Sequence, residues 1–170
     1  MICIIIDLAK EGEDDNMRYM LLSFKASVFN RVISGEKIFE HRRNFPDEEV
    51  IAYLYVGKPI QSIVGVMHLN NRVCLSEWKN KYSYDKDACL RIDDYLKHYR
   101  YVMQIQKYQH TNMIPLAKLK QDLPSFSIPY MYYYIEGTPL LEYLEKNIVP
   151  EVGELVHNFD TINSSQICNS

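Results

Sequence analysis

Three side chains set close together carry the most chemistry in this chain: Lys37, Glu40 and Arg42, in the stretch Gly35-Glu36-Lys37-Ile38-Phe39-Glu40-His41-Arg42. Arginine holds a planar fork of donors, a glutamate carboxylate accepts from an amino group, and lysine brings a mobile positive charge. Together they can read the polar edge of a planar ring and hold an anionic group beside it. The competing reading is a strand-surface ion pair between Glu40 and Arg42, worth well under ~1 kcal/mol, with Lys37 solvated.

The choice depends on the elements that position these groups. Met20 to Phe24 is an apolar run too short for a helix and reads as a strand. From Lys25 to Ser34, Val28, Phe29, Val32 and Ile33 fall on one helical face, and Gly35 follows where a left-handed residue closes a helix. The period then becomes two. Ile38, Glu40 and Arg42 share one side of a strand, and Lys37, Phe39, His41 and Arg43 share the other. Alternation alone therefore separates Lys37 from its partners; a twist or bulge at the turn is needed to aim its amine at the same cleft.

The pattern Gly35-x-Lys37-x-x-Glu40-x-Arg42, after a strand and a helix, resembles the signature of ASCH domains in the PUA-like superfamily. Later segments are similar too: Val50 to Val56, Ile63 to Met67, and Phe126-x-x-Pro129-x-x-Tyr132. The resemblance spans Met20 to Leu144. It implies an α+β fold, a small curved β-barrel flanked by helices, with a cleft that binds RNA or modified nucleobases. Some small ASCH proteins are amidohydrolases on acylated cytidine that use a lysine, a threonine and a glutamate. Here the threonine position is Glu40, and Ser34 and Thr111 match no motif position.

Size and charge set outer limits. The 170 residues suffice for one domain. We divide them into an N-terminal extension 1–19, with an extra strand at Ile2 to Ile6 and an acidic connector, a domain 20–150, and a partly disordered tail 151–170. A net charge of −3 excludes a protein that coats nucleic acid by charge alone, so any such contact must be local. Cys3, Cys74, Cys89 and Cys168 have neither zinc-site spacing nor the density of a disulfide scaffold. No metal or cofactor is expected, and no stretch reaches the ~18 apolar residues of a membrane span. The expected setting is the cytoplasm.

The rest of the chain reads as scaffold. Val50 to Val56 is a central strand, and Ile60 to Leu69 is a strand with Gly65 at a bend or close approach. His68 is read as structural. Ser76 is placed as a cap for Glu77 to Tyr82, and Asp85 starts an amphipathic helix reaching His98. Tyr95 and Tyr99 on that helix pack in the core or offer a base-stacking platform. Tyr101 to Tyr108 alternates as a strand, a short helix runs from Pro115 to Leu123, and Tyr130 to Tyr134 is an aromatic strand. Thr138 caps a last helix that Pro139 begins and Pro150 ends.

Three functions follow as expectations. The first is a binding module for single-stranded RNA, another single strand or a modified nucleoside, using Lys37, Glu40, Arg42, Arg43 and Lys58, with Tyr130 and Tyr132 as stacking surfaces. The second is a hydrolase acting on an amide of a modified nucleoside, with Lys37 and Glu40 as its working groups. The third is a protein-interaction domain whose tyrosines dock a partner.

Overall fold

The computed structural model describes residues 16–169. The strand expected at Ile2 to Ile6 lies outside them. The first described strand, β1 (Met17–Phe24), feeds helix α1 (Ala26–Ile33), which buries Phe29 and Val32. Ser34 donates its N–H to the Asn30 carbonyl, and Gly35 turns the chain at φ +78°. Strand β2 (Phe39–Arg42) follows, then β3 (Glu49–Val56) and β4 (Ser62–Cys74). Helices α2 (Leu75–Lys81) and α3 (Lys86–Leu96) lead to the long strand β5 (Tyr101–Pro115) and to α4 (Leu116–Asp122). The described chain closes with β6 (Tyr132–Tyr134), α5 (Pro139–Asn147), β7 (Pro150–Val156) and a 3-10 turn at Ser164–Gln166.

The strands form one mixed, curled, half-barrel sheet in the order β2-β5-β4-β3-β1-β6, with β7 also on β5. β1 lies parallel to β3 and antiparallel to β6. Register shifts between Leu54 and Tyr55 of β3, and at three places where β4 faces β5, give the bulges that curl such a sheet. Gly65 sits at one of them. A Cβ there would lie 2.5 Å from the Tyr108 hydroxyl and 2.7 Å from the Gln109 carbonyl, so the close approach expected of this glycine is present.

Apolar side chains from opposite faces of the sheet form separate cores. One packs Leu22, Leu54, Met67 and Ile105 under Phe29 and Val32 of α1. A second packs Leu21, Tyr55 and Ile63 against α4 and α5. A third gathers Phe39, Trp78, Ile92 and Val102 beneath α2 and α3. Asp85 caps α3 by accepting from the N–H groups of Asp87 and Ala88, and Thr138 caps α5 by accepting from Leu141 N–H.

Several expectations change. Helix α2 begins at Leu75 after an N-cap at Cys74, so Ser76 is inside it. β5 continues well past Tyr108, because β4 and β7 pair with its second half. Pro150 does more than end α5, since it opens β7. Within the stretch 151–170, expected as a partly disordered tail, Ile167 and Cys168 are buried in the third core. Arg91 holds that segment by donating to the carbonyls of Ile167 at 3.0 Å and Ser164 at 2.7 Å.

Candidate functional site

The turn after α1 decides where Lys37 points. Its backbone N–H donates to the Arg31 carbonyl at 2.8 Å, and β2 does not begin until Phe39. Lys37 therefore precedes the strand, and alternation does not bind it. Its Nζ lies 3.0 Å from Glu40 Oε2 and donates to the Phe39 carbonyl at 2.7 Å. Arg42 Nη2 lies 2.7 Å from Glu40 Oε1. One carboxylate thus holds two cations.

This cluster is buried. The side chain of Glu40 keeps 4% of its area exposed, Arg42 12% and Lys37 14%. Ions this far from water lose hydration that a surface pair keeps, and their geometry and neighbours must offset the loss. The solvated-pair reading therefore fails. Compensation is also incomplete: two positive groups face one negative group, and Arg42 Nε, Glu40 Oε2 and His41 Nε2 are all buried without a hydrogen-bond partner. An unmet buried donor costs about 1–3 kcal/mol, so its presence asks for an explanation.

The cluster forms part of the wall of a cleft of about 480 Å³, a size ordinary for small-ligand sites. β2 is an edge strand, so both of its faces reach the cleft: Glu40 and Arg42 from one, His41 from the other. Ser23, Phe24 and Gly57 line it from the ends of β1 and β3, and Tyr95 and Tyr99 from α3 and the turn after it. Lys25 at the N-cap of α1 and Val28 and Arg31 within it follow at spacings of three. With Lys58 the lining holds five Lys or Arg side chains and one carboxylate, on a chain whose net charge is −3. The positive charge is concentrated here.

His41 is 8% exposed, and its ring packs on Tyr95 at 4.7 Å, Tyr99 at 6.0 Å and Trp78 at 6.3 Å. Burial first, then the charges of Lys37 and Arg42, holds its pKa well below the ordinary 6.5. The unfolded chain therefore takes up this proton first as pH falls. Stability should be unaffected by His41 above about pH 6.5 and should decline below it, by up to ~1.4 kcal/mol per pH unit for one proton. Urea midpoints between pH 7.5 and 5.5 check this: His41→Phe should flatten the slope, leaving the smaller part due to His157, which burial also lowers. Equal slopes in both proteins would remove His41 as the cause.

The backbone path that carries this cleft is similar to solved structures of an ASCH protein from Zymomonas mobilis. One aligns with a TM-score of 0.58 at 17% identity, over 78% of this chain and 96% of that one. This chain has the ASCH fold. A tyrosine-to-phenylalanine variant of the Zymomonas protein aligns with a TM-score of 0.58 at 17% identity, over 78% and 99% of the two chains. A serine-to-alanine variant gives a TM-score of 0.55 at 17% identity, over 76% and 96%. No protein-family model and no curated protein matches the sequence.

On this ASCH fold the motif residues Lys37, Glu40 and Arg42 meet, and Lys58 joins them in the lining. Arg43 is exposed and does not line the cleft. Tyr130 lines it with 98% of its area exposed, the condition of a ring available for stacking. Tyr132 is engaged elsewhere: its hydroxyl donates to the Asn44 carbonyl at 2.8 Å and its ring stacks on Phe45. Ser34 and Thr111 donate to neighbouring carbonyls and are not in the lining. His68 is 3.0 Å from Glu49, a structural pairing.

Sequence reasoning missed Lys25, Arg31, His41 and Asn169 as lining residues. The first two had a visible signal, since Lys25, Val28 and Arg31 repeat at intervals of three beside the apolar face of α1. Among the described residues no group of three or more His, Cys, Asp or Glu is arranged to hold a metal ion. No helix among them is long and apolar enough to cross a membrane.

Proposed function

We propose that this cleft binds a nucleotide within single-stranded RNA, reading the base with the Lys37, Glu40 and Arg42 cluster and holding phosphate at its basic rim. The observation that supports it most is the unequal cluster: two buried cations on one carboxylate, with Arg42 Nε lacking a partner. A planar base with carbonyl and amino groups on its edge complements such a set, because it can accept from arginine and donate to glutamate. Tyr130 supplies an exposed aromatic face beside it, and Lys25, Arg31 and Lys58 supply the charge for phosphate. A free modified nucleoside would use the same base contacts with fewer phosphate contacts.

Fluorescence anisotropy with short single-stranded RNA, single-stranded DNA and duplex probes tests this. Single-stranded RNA should bind best, with log Kd rising against log salt at a slope of about 1.5–2, as for two or three phosphates. Arg42→Ala should weaken binding more than tenfold, since it removes charge-assisted bonds that lysine could not replace in geometry. Circular dichroism confirms that the variant is folded. Unchanged affinity in a folded Arg42→Ala variant would remove this site.

A further inference from the structure

The cleft described above already has something seated at its rim. Asn169 lines it, and its backbone carbonyl accepts from Arg31 Nη2 at 2.8 Å. The segment that carries Asn169 there is held at several points. Ile167 is fully buried in the core beneath α2 and α3, and Arg91 grips the carbonyls of Ile167 and Ser164. Asn163 and Gln166 close a reciprocal cap over the short turn between them. Cys168 then adopts φ +52°, a left-handed conformation unfavourable for a side chain of its kind, and Asn169 Nδ2 donates to the Ser165 carbonyl at 2.8 Å. The chain is turned back so that one neutral carbonyl faces Arg31.

We infer that Asn169, held at the cleft by the strap 164–169, is an internal occupant of its rim, and that Arg31 is a phosphate-binding residue which this strap covers. The inference rests on the nucleotide-binding reading and adds its regulation. Arg31 stands on α1 at the interval set by Lys25 and Val28, so it belongs to the same wall. Its guanidinium donates to Asn169 and lies 3.5 Å from Glu36, whose side chain is 66% exposed. The Asn169 carbonyl is neutral and gives one bond, and Glu36 makes one long approach from an exposed side chain, so neither makes the paired in-plane bonds that a phosphate can make with the guanidinium fork. A carbonyl tethered a few residues from a buried anchor competes at high effective concentration, although its single bond is weaker. The ligand must displace Asn169, and the anchor at Ile167 lets the rest of the segment stay docked.

The test is a cycle of four proteins: the parent, a chain ending at Ile167, Arg31→Ala, and the two changes together. Ending at Ile167 keeps Ile167 in the core and gives up the buried Cys168, a cost the thermal melts measure. It also places the new carboxylate where Arg91 already donates, away from Arg31. The probe is a fluorescein-labelled eight-nucleotide single-stranded RNA, with thermal melts to confirm folding. Shortening should tighten binding about fivefold to tenfold, the scale of one ordinary net hydrogen bond. Arg31→Ala should cost little in the parent and cancel the gain in the shortened chain.

Equal affinity of parent and shortened chain overturns the strap while leaving the nucleotide site in place. Absence of binding by both overturns the site, and the strap with it. Should the shortened chain melt early, Arg91→Ala in the complete chain loosens the same segment. It should tighten binding in the same direction, and unchanged or weaker binding overturns the strap.

Discussion

Glu40→Ala lowers the free energy of unfolding by about 3 kcal/mol, the lower end of the ~3–5 kcal/mol range for breaking a buried ion pair from one side. The lower end applies because Lys37 and Arg42 keep 14% and 12% of their side-chain area in water and recover some hydration. The loss arises from two cations left facing each other across an empty acceptor, more than from two missing bonds. Glu40→Gln separates these effects: it keeps volume and one acceptor, so a loss nearly as large would show that charge dominates. Replacing all three groups with Met or Leu should restore stability to near the parent while abolishing the nucleotide binding proposed above. Urea midpoints with unchanged m-values are the measurement. A Glu40→Ala loss under 1 kcal/mol would return this cluster to the class of solvated surface pairs.

The second large effect is far from the motif. Gly65→Ala should cost about 3 kcal/mol, the upper end for adding a methyl group to a filled interior. Its Cβ would meet Tyr108 Oη at 2.5 Å, Tyr108 Cε2 at 2.6 Å and the Gln109 carbonyl at 2.7 Å. The tyrosine has nowhere to go. It is fully buried, and its hydroxyl lies 3.4 Å from the Val64 carbonyl and 3.1 Å from His110 Nδ1. The Gln109 oxygen belongs to the paired strand and moves only if the ladder moves. Tyr108→Phe in the same chain should therefore relieve only the hydroxyl's share. Thermal and urea unfolding of the single and double variants check this, and a change under ~0.5 kcal/mol for Gly65→Ala would show that the strands separate without strain.

Those two positions mark what a reader of the chain could and could not see. Gly65, the glycine after α1, Asp85 before α3 and Thr138 before α5 are local signals: a few adjacent residues determine the backbone there. The approach of Lys37 to Glu40 was obscured because the period-two pattern continues two residues before the strand begins. Polar residues Gln106 to Asn112 hid the second half of β5, which is a strand because β4 and β7 pair with it. Its pairing, not its composition, makes it one. Residues after Thr161 look polar, yet Ile167 and Cys168 enter a core while Arg91, 76 positions before Ile167, donates to the carbonyls of Ile167 and Ser164. Likewise the cleft draws Tyr95, Tyr99, Tyr130 and Asn169 from distant places, and no local pattern announces such company.

The edge position of β2 has a consequence in time. Among the described residues its four positions pair with no strand but β5, at Tyr101 to Gln104. A growing chain that has exposed the motif but not yet residue 104 holds Glu40 and Arg42 on a segment without a neighbour. The remaining walls arrive with Tyr95 and Tyr99 and, later still, Tyr130. Contacts so distant in sequence form slowly, since a long loop must close before any of them is rewarded. A nascent chain therefore carries the motif before it carries the cleft, and the nucleotide binding proposed above can begin only after Tyr130 has emerged and these distant contacts have closed.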